Sequence, residues 1–163
     1  MSGINFAELE QQFVQDRINP DFTWRPYDEF SPLNEAAKPL SEARVALVTT
    51  AGAHLENQEP FDIKGAAGDP TFREIPSDID LADIRLIHRG YNTRQAMEDP
   101  NVVLPIDHLR AARDSGRIES ISDNIYSFMG FVADTDPLVN DYAPEVARKL
   151  KADGVDIVLL APA

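Results

Sequence analysis

Two histidines of this sequence follow predicted strands and are the side chains best suited to chemistry. His54 comes shortly after the apolar run at residues 45–48, and His88 directly follows the run IRLI at residues 84–87, so both could face one crevice. Two imidazoles and one carboxylate can hold a transition metal. The other residues that could join such a set are His108, Asp69, Glu74 and Asp107. Nothing in their spacing requires a metal, since no HExxH-type pattern is present. Surface or hydrogen-bonded histidines are the ordinary interpretation, and we expect no metal and no other cofactor.

Hydroxyl groups form a second set of candidates. They belong to Thr49, Thr50, Tyr126 and Ser127. No GxSxG elbow is present, and the spacing implies no base partner, so we expect these groups to bind or cap rather than to attack. The sequence contains no cysteine, which excludes a thiol nucleophile, a disulfide or a thiolate metal site within it.

The stretch Arg44 to Gly52 (RVALVTTAG) is predicted to position these groups. Its run of apolar residues without polar alternation is typical of a strand that is covered on both faces, as in a parallel sheet. Small and hydroxyl residues follow it, and ligands of open α/β sheets bind beyond the carboxyl ends of the strands. The sequence therefore predicts a ligand crevice at this end, although an ordinary core strand followed by a tight turn is the alternative.

The remaining pattern predicts an α/β fold with a mostly parallel sheet and flanking helices, in a Rossmann-like or flavodoxin-like three-layer arrangement. Residues 1–40 are expected to form an N-terminal helix over 6–18, capped by Asn5, and an extended arm. Residues 41–163 are expected to form the α/β domain. Further strands are predicted at 71–75, 81–87, 118–131 and 155–161, the second and last of these as buried strands. Helices are predicted at 93–97, 106–114 and 137–153, a polar loop at 53–63, and a close backbone approach at Gly130.

The aromatic residues of the arm have two interpretations. They are Phe22, Trp24, Tyr27 and Phe30, set among Pro26, Pro32 and Pro39. Their side chains either pack within the chain or contact a second copy, so we also expect a homo-oligomer. The net charge of −13 argues against nucleic acid and anionic membranes as partners. No apolar stretch is long enough to span a bilayer and no signal peptide is visible, so we expect a cytoplasmic protein.

Five blocks of the sequence, in this order, resemble the selenoprotein B component family of the glycine, sarcosine, betaine and D-proline reductases. The blocks are KPLSEARVALVTTAGAHLENQEPFD (Lys38 to Asp62), GDPTFREIPSD (Gly68 to Asp78), NVVLPIDHLR (Asn101 to Arg110), YSFMGF (Tyr126 to Phe131) and APEVARKLKADGVDIVLLAPA (Ala143 to Ala163). The resemblance begins near Pro26 and extends to Ala163. It implies an α/β fold, reductive cleavage of a C–N bond in a small amine or amino acid, and other reductase subunits as partners.

The resemblance also implies that the redox residue, a selenocysteine or cysteine, directly follows the LLAPA-type strand. No catalytic residue is therefore expected within this chain, whose last residue is Ala163. We weigh three explanations: a UGA codon read as a stop, a cut chain, and a natural short relative that keeps the scaffold without the chemistry. The abrupt end on a predicted buried strand favours the first two.

Substrate-binding candidates follow from the ends of the predicted strands and from the resemblance. They are Thr49, Thr50, Gly52, His54, Asp69, Arg73, His88 and Ser127. Backbone N–H groups near residues 49–54 are expected to hold a substrate carboxylate. Arg73 could add a bidentate donor, or it could instead form an ion pair with Asp69 or Glu74. We expect a reductase subunit that is inactive without its redox residue. The alternative is a noncatalytic binding or assembly module, and that module would be a homodimer.

Overall fold

The computed structural model describes residues 5–24 and 34–163. The chain divides into two compact units, residues 1–35 and 36–163. In the first unit, helix α1 spans Phe6–Arg17, and the Asn5 side chain accepts a hydrogen bond from the Glu8 N–H at 3.4 Å. The predicted helix and its N-cap are therefore confirmed.

The apolar side chains of α1 are exposed, and none of its residues is buried. Phe6, Leu9 and Phe13 are 74%, 56% and 59% exposed. After the helix, the Phe22 and Trp24 rings meet edge to face, with centroids 5.2 Å apart. Of the predicted aromatic arm, these two residues pack within the first unit, whereas Tyr27 and Phe30 lie outside the described residues.

The second unit is built from seven strands and three α-helices. The strands are β1 (Arg44–Thr49), β2 (Ala53–Leu55), β3 (Phe72–Pro76), β4 (Ile84–Leu86), β5 (Ser120–Ile121), β6 (Asn124–Phe128) and β7 (Ile157–Ala161). The helices are α2 (Thr93–Ala96), α3 (Ile106–Asp114) and α4 (Ala143–Ala152). Among the described residues, no helix is both long and apolar enough to cross a membrane.

Strand β1 lies inside a five-stranded, mostly parallel sheet. It pairs in parallel with β7 along one side and with β5 and β6 along the other. Val45 pairs with residues of β5 and β7, and Val48 pairs with residues of β6 and β7. Strand β3 runs antiparallel to β6. One face of the sheet packs against α3 and the other against α4. The predicted three-layer α/β architecture is confirmed.

Two local predictions need correction. Residues 53–55 were expected in a polar loop but form β2, which pairs antiparallel with β4 in a separate two-stranded sheet. Strand β4 is thus not a buried strand of the main sheet, although Ile84 is fully buried. The predicted helix at 137–153 is helical as far as Ala152, but its geometry changes to a π-helical turn at Leu138–Tyr142 before α4 begins at Ala143. Pro144 has no N–H to continue the earlier ladder, which accounts for this change.

Strand β7 exists as predicted but is not buried. Val158, Leu159 and Leu160 are 39%, 39% and 69% exposed. Successive side chains of a strand point to opposite faces, so both faces of β7 are incompletely covered. The cause is its position: among the described residues β7 pairs only with β1, which leaves it at the edge of the sheet.

Candidate functional site

The carboxyl ends of β1 and β7 meet at one rim of the sheet. The Thr50 N–H donates to the Ala161 carbonyl at 3.2 Å, and the Ala163 N–H donates to Thr50 Oγ1 at 2.9 Å. The two strands run parallel in register from Val45 to Thr49. The sequence-based prediction that the last strand ends beside Thr49 and Thr50 is therefore confirmed.

Gly130, two residues after the end of the neighbouring strand β6, completes this rim. A Cβ atom at this position would lie 2.7 Å from His88 Nε2, 2.9 Å from the Ala163 oxygen and 3.3 Å from the Thr50 oxygen. Real Cβ atoms essentially never come closer than 3.0 Å, so any larger residue at this position would displace His88 or Ala163. The predicted close approach at Gly130 is confirmed, and it joins three chain segments at one point. We refer to Thr50, His88, Gly130 and Ala163 as the rim site.

His88 presents a buried hydrogen-bond donor to the rim site. Its Nδ1 accepts the Gly90 N–H at 2.8 Å, so the neutral ring carries its proton on Nε2. Nε2 is buried and has no partner among the described residues. Burial lowers the pKa of His88, which keeps the ring neutral near pH 7.

Tyr91 supports the imidazole ring of His88. The two ring centroids lie 4.6 Å apart, and the Tyr91 hydroxyl donates to the Ala51 carbonyl at 2.7 Å. Burial raises the pKa of Tyr91 to about 12, so this hydroxyl remains a donor at every physiological pH. His88 is consequently held against the segment that joins β1 to β2.

A cleft of about 490 Å³ lies beside the rim site. Its wall is formed by the segment from Tyr91 to Val103, which includes α2, together with Ala163. The polar side chains that line it are Asn92, Gln95, Glu98 and Asp99. Carboxylates without a neighbouring cation among the lining residues favour a positively charged ligand.

Three predicted site residues serve the fold instead. Thr49 Oγ1 donates to the Val103 carbonyl at 2.7 Å, and Ser127 Oγ accepts the Ala53 N–H at 2.8 Å. Gly52 has a φ of 67° and donates its N–H to the Phe128 carbonyl at 2.9 Å. The N–H groups of Thr50 and Gly52 thus already have acceptors within the fold, contrary to the expectation that they hold a substrate carboxylate.

Asp69 and Arg73 organise the loop that precedes β3. Asp69 accepts the N–H groups of Asp62 and Thr71, each at 2.9 Å. Arg73 donates to the Glu59 carbonyl at 2.7 Å and stacks on the Phe61 ring at 4.2 Å. Arg73 and Asp69 also form an ion pair at 3.7 Å, which is one of the two arrangements considered from the sequence. The side-chain hydrogen bonds of Arg73 and Asp69 among the described residues all have their partners between residues 59 and 72.

The histidines do not meet in a metal-binding group. His54 is 6% exposed, and its Nδ1 lies 3.3 Å from the Gly52 carbonyl. His108 is on the exposed side of α3. Across residues 5–24 and 34–163, no three histidine, aspartate, glutamate or cysteine side chains are grouped so that they could hold a metal ion.

The burial of His54 and the partial burial of His88 predict a pH-dependent stability. Burial lowers the pKa of His54 and His88 from the usual 6.5, so the unfolded chain binds protons first as the pH falls. The free energy of unfolding should therefore have its full value above pH 6.5 and decrease as the pH falls below 6.5. Urea denaturation at pH 7.5 and 5.5 measures this change. Between these two pH values the double variant His54→Gln/His88→Gln should lose less stability than the unmodified chain. The control variant His108→Gln should lose as much as the unmodified chain. Equal losses in all three proteins would contradict the prediction.

Several residues of this region were not identified from the sequence. Gly130 was predicted to allow a close approach but was not assigned to the site, although it follows β6 as Thr50 follows β1. Tyr91 and the acidic pair Glu98 and Asp99 were passed over because α2 is a single turn without a recognisable motif. The position of Tyr91, three residues after His88, was the available signal.

The parallel strands that end at one rim, beside a cleft, define an α/β protein with a mostly parallel sheet between helices. The model of the family described as glycine/sarcosine/betaine reductase selenoprotein B (GRDB) matches residues 13–163. The chain belongs to this family, which confirms the resemblance seen in the sequence.

Curated relatives include subunits of three different reductases. The chain is 34% identical to the D-proline reductase subunit gamma of Acetoanaerobium sticklandii, over 98% of this chain and 61% of the relative. It is 32% identical to the betaine reductase complex component B subunit beta of Peptoclostridium acidaminophilum, over 76% of this chain and 28% of the relative. It is also 32% identical to the glycine reductase complex component B subunit gamma of Carboxydothermus hydrogenoformans, over 79% of this chain and 30% of the relative.

The chain therefore spans less than two thirds of the first of these relatives and less than a third of the other two. No solved structure matches the chain significantly.

Proposed function

We propose that this chain forms the α/β scaffold and the substrate crevice of an amine reductase subunit. The reaction would be the reductive cleavage of a C–N bond in a small amine or amino acid such as glycine, sarcosine, betaine or proline. Membership of the family and the names of the relatives support this reaction class. The observation that carries the proposal is the junction of β1 and β7, where the Ala163 N–H is bonded to Thr50 Oγ1.

In this proposal a selenocysteine or cysteine is joined to the end of β7. The 163 residues contain no cysteine, and the proposal assigns the chalcogen to a residue that follows Ala163. A thiolate or selenolate there would attack the carbon that bears the nitrogen; a carbon–chalcogen bond would form and the amine would leave with the C–N electron pair. The rim site would place this attacking atom beside the cleft.

The cleft suits the positively charged end of such a substrate. Glu98 and Asp99 lie on its wall, and Tyr91 contributes an aromatic ring. Carboxylates attract an ammonium group, and aromatic faces also bind quaternary ammonium groups. We therefore assign the nitrogen of the substrate to this wall and the carbon under attack to the side that faces Ala163.

Other reductase subunits are the proposed partners, because relatives are named as components of multi-subunit complexes. The exposed apolar residues Phe6, Leu9 and Phe13 of α1 offer a contact surface. A homo-oligomer through the aromatic arm stays a prediction. Light scattering on the purified chain measures it: a single-chain mass would contradict the homo-oligomer and leave the heteromeric assembly in place.

Reading the gene beyond codon 163 and assaying the extended polypeptide test the function. A UGA codon followed by an in-frame cysteine codon is expected. The extended chain, with its partner subunits and a dithiol as the electron donor, should release ammonia, methylamine or trimethylamine from glycine, sarcosine or betaine. A different stop codon without a following cysteine codon would contradict the proposal and favour a noncatalytic binding or assembly module.

A further inference from the structure

The buried Nε2–H group of His88 has no hydrogen-bond acceptor among the described residues. Buried polar side-chain atoms are hydrogen-bonded in the large majority of cases, and an orphaned donor is destabilising. Nε2 is buried, yet among the described residues it has no acceptor. This donor therefore points to an acceptor that is not among those residues.

The direction of the donor is fixed by its surroundings. The Gly90 N–H bonded to Nδ1 places the proton on Nε2, and the Tyr91 ring packs against the imidazole at an interplanar angle of 35°. Tyr91 is in turn anchored to the Ala51 carbonyl. Protonation of Nδ1 would break the bond to Gly90, so the ring is built to donate through Nε2 while neutral.

The donor lies close to the end of β7. Both His88 Nε2 and the Ala163 oxygen lie within 2.9 Å of the point where Gly130 would carry a Cβ. The carbonyl group of Ala163 is the group to which any following residue is attached. A side chain on that residue begins next to the space that Gly130 leaves open.

We propose that His88 Nε2–H donates a hydrogen bond to the thiolate or selenolate of the residue joined to Ala163. This assignment rests on the proposed function and adds a named catalytic residue to it. Hydrogen bonding to the charged form stabilises that form, so His88 would increase the fraction of reactive anion at neutral pH. Burial is the cause of the lowered pKa of His88, and no charged group contributes to it; the donor is therefore a neutral one.

A single cysteine appended to this chain tests the assignment directly. The chain has no other cysteine, so Cys followed by a short Gly-Ser tail after Ala163 provides a unique thiol. The pH dependence of its alkylation by iodoacetamide gives the thiol pKa. In His88→Phe the ring still stacks on Tyr91 but the donor is gone, and the thiolate fraction at pH 7 should fall about tenfold.

Two further variants separate the donor from general effects. His88→Gln keeps an N–H near the position of Nε2 and should retain most of the thiolate fraction, whereas His108→Gln on the exposed side of α3 should change nothing. If His88→Phe leaves the thiol pKa unchanged, the assignment is wrong.

A second measurement needs no variant at His88. The Nε2–H NMR resonance of His88 should follow the titration of the appended thiol, and a resonance that ignores this titration would overturn the assignment even if His88→Phe fails to fold. The amine-release assay of the extended polypeptide is independent of both measurements. Failure of the His88 assignment therefore remains distinguishable from failure of the proposed function.

Discussion

Replacing Gly52 by alanine should destabilise the protein by about 3–5 kcal/mol. Gly52 has a φ of 67°, and a Cβ there would lie 1.9 Å from the Ile87 carbonyl oxygen. The contact is with backbone, so relief requires β4 to move away from the turn between β1 and β2. That movement would break the bond from the Ile87 N–H to the Gly52 carbonyl at 3.1 Å, directly beside His88.

Gly116→Ala is the matched control for this prediction. Gly116 has a similar φ of 72°, but the space around it is open. Its substitution should cost only the left-handed backbone penalty of about 1–2 kcal/mol. Urea denaturation of the two variants separates backbone strain from the steric clash. Equal losses in the two variants would mean that Gly52 does not pack against β4 as described.

Replacing Leu47 by alanine should cost about 2–5 kcal/mol. Leu47 lies on β1, is fully buried, and belongs to the core cluster between the sheet and α3. Truncating it removes apolar contact and leaves a cavity that the rigid strand cannot close. The free energy of unfolding from urea titration gives the cost.

Leu160→Ala is the control on the neighbouring strand. Leu160 pairs with Val48 of β1, but it is 69% exposed, so its loss should cost less than about 1 kcal/mol. The contrast also tests the position of β7 at the sheet edge. If Leu160→Ala were as destabilising as Leu47→Ala, β7 would have to be covered in solution by another segment or a partner chain.

Local sequence signals were sufficient for most elements of the main sheet. The apolar run Val45 to Val48 specified β1 because a strand covered on both faces needs no polar alternation. Pro105 and Gly116 bracketed α3 because proline suits the start of a helix and glycine its end. The meeting of β1 and β7 at one rim then followed from their parallel direction.

Long-range pairing accounts for what could not be predicted. Strand β2 has only three residues, and it is a strand because β4, about thirty residues later, pairs with it. The partners of Thr49 and Ser127 are equally remote, since Val103 and Ala53 lie 54 and 74 positions away. A hydroxyl used in the core and one available to a ligand look the same in a sequence.

The sequence therefore predicted where the candidate site lies better than it predicted which residues form it. Thr50 and His88 were named from the ends of predicted strands, and the structure places both at the rim site. Arg73 was named for its charge, and its donors are used by the loop around Glu59. Nothing local to Arg73 reveals that use, because it depends on how residues 59–71 fold back over it.

Titration of the isotope-labelled chain with betaine, sarcosine, glycine and D-proline, followed by NMR, tests the location of the crevice most directly. We predict saturable shifts of the Thr50 and Gly130 amides and of the His88 ring, together with amides on the cleft wall near Glu98. Shifts confined to the loop around Asp69 and Arg73, or no shifts with any of the four compounds, would contradict a substrate crevice at the rim site.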